Sequence, residues 1–528
     1  MPNKNILLIE PGYRNKYPPL GLMKIAAYHG PYGKKDNVTF VKGDRDKSVL
    51  SKSWDRIYVT TLFSFEWKTI ARSIEFALEA SHRQPNKVFV GGIAASLMHE
   101  AFLEVPEWKG IRFIKGLLSD APAISLQLDD FAEELYSSDR NGTPIEDLIP
   151  DYSILEQIKP YYIYPVHDAY FAYASRGCVR KCHFCGVPKL EGEQRDASSI
   201  TLLVKGIQER YGDKKDLTLM DNNIVASPSY KNIIAEIIDL GFVPGAKLSR
   251  KGKPAVQRRV DFNQGVDARI LCKDKMYLRE MSRICLKPLR IAFDHIGVRK
   301  PYETAIRYAH EFGLHDLSNY MLYNFHDSPD DLYERMKLNI ALNEELGIRI
   351  FSFPMRYQPT DMKDRSHVGP NWNRYFLRSM QIILQATHGI VSGSPDFFRR
   401  AFGSDIDEFS ALLMRPEKFL FNRVWFEELD GKSEFEQFTR EFRTLSDSDK
   451  AELMTLLSST TPSQFASLAK QTENSQIKRA LHWYSPLTDE QERRIWAESK
   501  QARERSETRV PAIPEDELVE DAGLLEAA

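Results

Sequence analysis

Cysteine is scarce in this chain: five residues in 528, and three of them, Cys178, Cys182 and Cys185, fall within eight positions. Thiols so few and so unevenly spread exclude a disulfide framework. They point to a reducing compartment, expected to be the cytoplasm, and to a metal or redox site. Charge of one sign is lacking too, since the net charge is only −2 with 28% charged residues. That balance argues against a strongly electrostatic nucleic-acid or membrane-surface binder. No uninterrupted apolar run of about 18 residues occurs, so neither a transmembrane helix nor a membrane partner is expected. Met1–Glu10 carries one short apolar run and no small-residue cleavage site, and reads as a first strand rather than a signal peptide. No internal repeat is visible.

What is present is enough apolar material, 42% of 528 residues, for two or three cored domains. Residues 1–125 alternate strands with helices: strand-like Asn5–Ile9, Val38–Val41, Arg56–Thr60, Lys87–Val90 and Ile111–Ile114, helical Leu20–Tyr28 and Glu66–Ala80. Such alternation implies a Rossmann-like parallel sheet covered on both faces. Pro11-Gly12 and Gly91-Gly92 fall at strand carboxyl ends, where open α/β sheets bind ligands. Residues 126–170 read as a linker, with Asn141-Gly142 and Pro150 as turn signals.

The alternation restarts in residues 171–365. Candidate strands are Phe171–Ser175, Leu217–Met220, Val260–Gln264, Leu289–Phe293, Asn319–Tyr323 and Arg349–Phe353. Ser227-Pro228 and Ser328-Pro329 look like helix starts, and Gly241 and Gly347 like helix stops. Six βα units in this length favour a partial (β/α)6 barrel over an open sheet, although spacing alone does not decide it. Residues 366–500 read as all-helical, with Trp372–Ala386, Glu434–Arg443 and Asp447–Leu457 as candidates. Residues 501–528, charged and containing Pro511 and Pro514, read as a loose tail.

The informative stretch is Ser175-Arg176-Gly177-Cys178-Val179-Arg180-Lys181-Cys182-His183-Phe184-Cys185, a CxxxCxxC motif just past the first barrel strand. Barrel enzymes place their chemistry at that end of the strands. Iron–sulfur clusters are normally held by four thiolates, and one loop here offers three. One iron of a cubane would lack a protein ligand and could take a substrate or cofactor, as an open zinc position does. A zinc loop using Cys178, Cys182, Cys185 and His183 is the plainer alternative, but His183 directly follows Cys182 and no second CxxC knuckle exists. Cys285, beside Met281 and Ile284, looks like a core residue, and Cys272 receives no role.

The motif, with Phe184 just before its last cysteine, resembles the radical S-adenosylmethionine (SAM) superfamily over about residues 165–360. The resemblance implies a 4Fe–4S cluster, SAM chelated at the open iron, a 5′-deoxyadenosyl radical and an external electron donor of flavodoxin or ferredoxin type. It also implies contacts to SAM from Phe184, from Asp221 and Asn222 after the second strand, and from Asn263, Gln264 and Arg269 after the third. Asp221 departs from the family's Gly-Gly-Glu-like element. It reads either as an acceptor for the SAM ammonium or as a polar cap of the next helix. Arg269 suits a carboxylate, with a rim salt bridge to Asp267 as the alternative. Asp294-His295, Asn324 and Pro354-Met355-Arg356-Tyr357 follow the later strands as lining candidates.

Glu10-Pro11-Gly12, Pro18-Pro19-Leu20-Gly21-Leu22 and Val90-Gly91-Gly92-Ile93 resemble the cobalamin-binding-type domains fused to such barrels. Cobalamin is therefore an expected further cofactor. The Asp-x-His-x-x-Gly signature of a lower axial ligand is absent, however, and Val41-Lys42-Gly43-Asp44 ends the second strand without a histidine. Methylthiotransferases would need a second cysteine cluster in this domain. No cysteine precedes Cys178, so that class is set aside. Three functions compete: radical chemistry with cobalamin-dependent methylation, radical chemistry beside a degenerate cobalamin domain, and a non-catalytic iron–sulfur or zinc protein.

Overall fold

A computed structural model describes residues 3–118 and 143–507; the expected turn at Asn141-Gly142 and most of the expected tail lie outside the described residues. Five parallel strands open the chain: β1 (Asn5–Glu10), β2 (Asn37–Lys42), β3 (Arg56–Thr61), β4 (Val88–Gly92) and β5 (Arg112–Phe113), in the order β2-β1-β3-β4-β5. Ile6 to Ile9 are all fully buried, as expected of a strand covered on both faces. Their alternation divides them. Ile6 and Leu8 face the helix Leu20–His29, and Leu7 and Ile9 face Ile70 and Ile74 of the helix Trp67–Ala80. The order reverses beside β1, so the switch point lies between β1 and β3, where doubly wound sheets take ligands.

The expected linker is structured where it is described. Helix Ser153–Ile158 buries Ile154 and Ile158, and Tyr152 donates its hydroxyl to the Ala169 carbonyl, 2.9 Å. The first barrel strand, β6 (Ala169–Ala172), accordingly begins ahead of Phe171. After it come a small hairpin, β7 (Ser175–Arg176) and β8 (Arg195–Asp196), then β9 (Asp216–Leu219), a second hairpin, β10 (Lys247–Arg250) and β11 (Lys253–Gln257), and β12 (Val260–Asp261). β13 (Leu289–Arg290), β14 (Asp316–Tyr323) and β15 (Arg349–Arg356) complete the set. Neither hairpin was expected from the sequence.

The strands β6, β9, β12 and β13, β14, β15 form two three-stranded parallel sheets. Two parallel bridges, Val260 with Leu286 and Val266 with Ile291, join them into a six-stranded partial barrel. An ion pair reinforces the seam: Arg290 donates Nε and Nη2 to the two Asp261 oxygens, 2.9 Å each.

Local sequence explains some helix ends. Ser328 and Asp331 make a reciprocal capping box with Pro329 in the first turn, and Gly347 ends the helix Pro329–Leu346 at φ +62°. The helix expected from Ser227 instead begins at Tyr230. Ser227 donates its hydroxyl to Asp196, 2.6 Å, and so ties the β8 hairpin rather than capping the helix. Beyond residue 373 the described chain is helical, built on a separate aromatic core that includes Phe419, Trp425, Phe438 and Trp483.

Candidate functional site

The cysteine loop leaves the carboxyl end of β6 and is held by two acids. Asp221, almost fully buried, accepts from the backbone N–H of Ala174 and Ser175 and from the Ser175 hydroxyl. Burial pushes its carboxyl up to about 6, against those hydrogen bonds. With both oxygens bonded to the chain, Asp221 anchors the loop entry. Glu191 accepts from the Gly177 N–H (2.9 Å), from Arg176 (3.2 Å) and from Asn222 Nδ2 (2.9 Å). Asn222 therefore braces the loop from below. Gly177 sits at φ +74°, and a Cβ there would lie 2.1 Å from the Glu193 carbonyl oxygen, so only glycine fits. Gly186 has ordinary backbone geometry, but a Cβ would lie 2.9 Å from Leu97, where the N-terminal domain packs on the loop.

All three loop cysteines are free and partly exposed. The Arg180 N–H points at Cys178 Sγ and the Val187 N–H at Cys185 Sγ, 3.4 Å each, and Asn223 Nδ2 lies 3.9 Å from Cys178 Sγ. Burial, and next the nearby Asp294, raise the Cys182 thiol, while Arg269 opposes them; burial takes Cys185 up to about 11. Among the described residues no three His, Cys, Asp or Glu side chains gather closely enough for a single metal ion. His183 is exposed beside the loop. A cubane places its ligands on separate iron atoms and needs a wider spacing than one zinc ion. Three soft donors on one loop, two of them facing N–H groups that suit a thiolate, fit a cluster.

After β12 the chain turns sharply. Asn263, at φ +56°, is buried; its N–H donates to Asp261 (2.7 Å) and its carbonyl accepts from the Tyr320 hydroxyl (3.2 Å). Gln264 is exposed at the rim. Arg269 Nε donates to Asp267 Oδ1, 2.8 Å, and Arg180 Nε to the other oxygen. The salt bridge weighed from the sequence is thus present, and Arg269 also lies against Cys182. Although burial opposes ionisation, the two guanidinium groups hold the Asp267 carboxyl below its ordinary range. Asn223, not singled out from the sequence, joins the halves by accepting from the Asp267 N–H, 3.3 Å.

Phe184 packs edge-on against Phe325 at 5.7 Å, Phe325 meets Tyr357 at 4.7 Å, and Tyr357 meets His367 at 5.1 Å. This aromatic chain leads from the cysteine loop into the strap 357–373. Asn324, fully buried at φ +68°, fastens the strap by donating to the carbonyls of Tyr357 and His367, 3.2 Å each, and accepting from the Gly369 N–H, 2.8 Å. Arg335, also fully buried, donates to the Phe293 and Leu322 carbonyls, 2.9 and 2.8 Å, which fixes the ends of the fourth and fifth barrel strands. Beside it burial pushes the Asp294 carboxyl up to about 6, opposed by Arg335 and Arg269. His295 is exposed on the rim. Glu191 and Arg335 were missed because they lie outside the motif, and Arg180, inside it, because its role depends on Asp267 across the fold. Cys285 is buried in the core, and Cys272 donates only to the Arg269 carbonyl, 3.6 Å.

In the N-terminal domain, Lys42 ends β2 and donates to Glu10 (2.8 Å) and Asn15 (2.6 Å), while Tyr164 donates to Glu10. His29 is a buried structural residue, 2.7 Å from Asp36 and 3.1 Å from the Tyr58 hydroxyl. At the switch point Tyr13, Phe63 and Phe65 form an aromatic surface. Such flat rings suit one face of a corrin. In this structure Arg365 of the strap lies over Phe65, 4.2 Å, and Lys363 over Trp67, 4.1 Å.

No family model matches the chain. A segment of 167 residues is 25% identical to the ribosomal protein uS12 methylthiotransferase RimO of Chlorobaculum parvum, covering 30% of this chain and 32% of that protein. The match thus spans about a third of the curated relative. The cysteine loop at the mouth of a parallel partial barrel resembles the radical SAM superfamily. Among solved structures it is similar to a radical S-adenosylmethionine methyltransferase, TsrM, from Kitasatospora setae with cobalamin and a 4Fe–4S cluster bound: TM-score 0.44, 14% identity, 68% of this chain and 77% of that one. It is also similar to the cobalamin-dependent S-adenosylmethionine radical enzyme OxsB: TM-score 0.46, 12% identity, 100% of this chain and 83% of that one.

Proposed function

We propose that this chain is a radical SAM enzyme in which Cys178, Cys182 and Cys185 hold one 4Fe–4S cluster and SAM is cleaved reductively at the barrel mouth. The observation that carries the proposal is the loop itself: three free thiols at the carboxyl end of β6, two of them facing backbone N–H groups, with Arg269 against Cys182. When bound and reduced, such a cluster supplies one electron that splits SAM into methionine and a 5′-deoxyadenosyl radical. The chain's residues bind and orient. Asp221 and Glu191 hold the loop entry, and Asp267 aims Arg269, whose planar fork suits the SAM carboxylate. Phe184, Asn263 and Gln264 line the approach. An external donor of flavodoxin or ferredoxin type would supply the electron, and a reducing cytoplasm would keep the thiols available.

Cobalamin-dependent methylation is a second reading, favoured by one observation: the N-terminal domain packs on the cysteine loop through Leu97 and Gly186. A cofactor at the switch point would then lie close to the barrel mouth. The absence of any cysteine before Cys178 argues against methylthiolation by a second cluster. Anaerobic reconstitution tests the main reading. About four irons per chain, as one cubane needs, and 5′-deoxyadenosine from SAM under reduction are expected. Iron that survives replacement of all three loop cysteines by Ala would refute it.

A further inference from the structure

A cavity of about 590 Å3 lies between the end of β15, the strap and the helical region. Four arginines line it, Arg356, Arg365, Arg374 and Arg378, with Glu417 as the one lining acid. Arg378 is paired with Glu417. The other three have no carboxylate bonded to them among the described residues. Arg356 spends one nitrogen on the Arg365 and His367 carbonyls, 2.9 and 3.1 Å, and its Nε is buried without a hydrogen-bond partner. Arg365 rests on the Phe65 ring with Glu66 near by, and Arg374 is exposed to the cavity side of its helix start. Burial pulls the Arg356 and Arg365 guanidinium groups down, the sign of positive charge that the protein leaves unbalanced. Leu377, Ile382, Leu457 and Phe465 give the same cavity an apolar wall.

Guanidinium groups are planar forks that bind phosphate oxygens in pairs. A volume in this range holds a small organic molecule. We propose that the cavity is a phosphate-recognition site for a phosphorylated small molecule whose non-phosphate body lies on the apolar wall. The aromatic chain from Phe184 to His367 runs from the cysteine loop into the strap that carries Arg365. The proposed binding does not rest on the radical SAM reading.

Calorimetric titration of the full chain with inorganic pyrophosphate, ADP, adenosine and citrate at physiological salt tests the assignment, and it needs neither iron nor SAM. Saturable binding of pyrophosphate, and of ADP at least as tightly, is expected, with none for adenosine. Arg374→Glu places an acid at a helix start, which the helix dipole favours, and should weaken pyrophosphate at least about tenfold, the loss of one charge-assisted pair. Arg440→Glu, the same charge change on an exposed helix that does not line the cavity, should leave affinity within about twofold. Absence of pyrophosphate binding, citrate binding as tightly, adenosine binding like ADP, or equal losses in both variants would overturn the proposal. Failure of iron loading or SAM cleavage would overturn the enzymatic reading instead and leave this binding result standing.

Discussion

Replacing Arg290 by Met should weaken the seam of the barrel more than any single change on its surface. Arg290 is almost wholly buried, and its two bonds to Asp261 join β12 to β13, where the backbone contributes only two isolated bridges. Methionine keeps much of the volume but leaves Asp261 with an uncompensated charge. Breaking a buried pair from one side costs about 3–5 kcal/mol. Asp261 retains about a fifth of its exposure and one bond from the Asn263 N–H, so the lower end, about 3 kcal/mol, applies. Burial opposes the Asp261 charge, yet Arg290 holds its carboxyl below the ordinary range. In the wild type that contribution is therefore present above the unfolded carboxyl pKa and lost only as pH falls through the lower folded value. In Arg290→Met burial, the largest influence, is opposed only by Lys16 and the Asn263 N–H, so the carboxyl rises, the variant regains stability as pH falls from 7 towards 5 and the gap narrows. Urea denaturation, with hydrogen exchange of the β12 and β13 amides as a local readout, measures both. Adding Asp261→Leu should recover most of the loss. A loss below about 1 kcal/mol, the range of an exposed pair, or no recovery in the double variant would refute the reasoning.

Three further outcomes follow from the same contacts. Asp221→Ala should lower iron loading of the reconstituted protein, because the loop entry loses three hydrogen bonds, while Arg269→Ala should load normally and weaken SAM by about 1.5–3 kcal/mol in equilibrium binding; the reverse pattern would mean the two roles are exchanged. Cys272→Ala with Cys285→Ala should leave the iron content unchanged, read by iron and sulfide analysis. Asp294, pushed up to about 6 by burial, contributes its stability below the unfolded carboxyl pKa and loses it as pH rises through about 6. Asp294→Asn should therefore match the wild type near pH 4 and be more stable above pH 6 by about 1–2 kcal/mol after allowance for partial exposure. Thermal midpoints across that range would show it, and a wild type more stable than the variant at pH 8 would count against it.

What the sequence made legible was local. Unbroken apolar runs such as Ile6–Ile9 announce a strand covered on both faces, and Ser328-Pro329 with Gly347 announce a helix, because period and capping depend on neighbours in the chain. The cysteine spacing announced the loop for the same reason. What was not legible depended on partners far away. Ser227 looked like a cap until Asp196, 31 residues earlier, took its hydroxyl. Asp221 looked available until Ala174 and Ser175, more than 40 residues earlier, took both oxygens. The short hairpins β7–β8 and β10–β11 carry no apolar alternation: Lys253–Gln257 is exposed along its whole length, so it left no hydrophobic signal. Glu191 acts by gathering Arg176, Asn222 and the Gly177 N–H, and Arg335 by gathering main-chain carbonyls, which no residue pattern encodes.

The N-terminal domain is joined to the site by more than its chain. Ile6 and Leu8 belong to the same continuous apolar core as Tyr170, Leu217 and Ile291 of the barrel, so one face of the first sheet has no separate interior. The joint also carries charge. Lys24 of the helix Leu20–His29 and Arg176 of β7 both pair with Glu146, and Arg176 in turn pairs with Glu191, which receives the Gly177 N–H. Burial pulls the Lys24 ammonium down, with Glu146 opposing it, so the network is held in a dry interior where geometry is set tightly. From the first helix to the residue before Cys178, four side chains, Lys24, Glu146, Arg176 and Glu191, are thus linked. A domain whose role was only to deliver a ligand would need freedom to move relative to the barrel. The shared core and this network argue instead that it forms a fixed wall of the barrel mouth, and that whatever lies at its switch point meets the cysteine loop at a set distance.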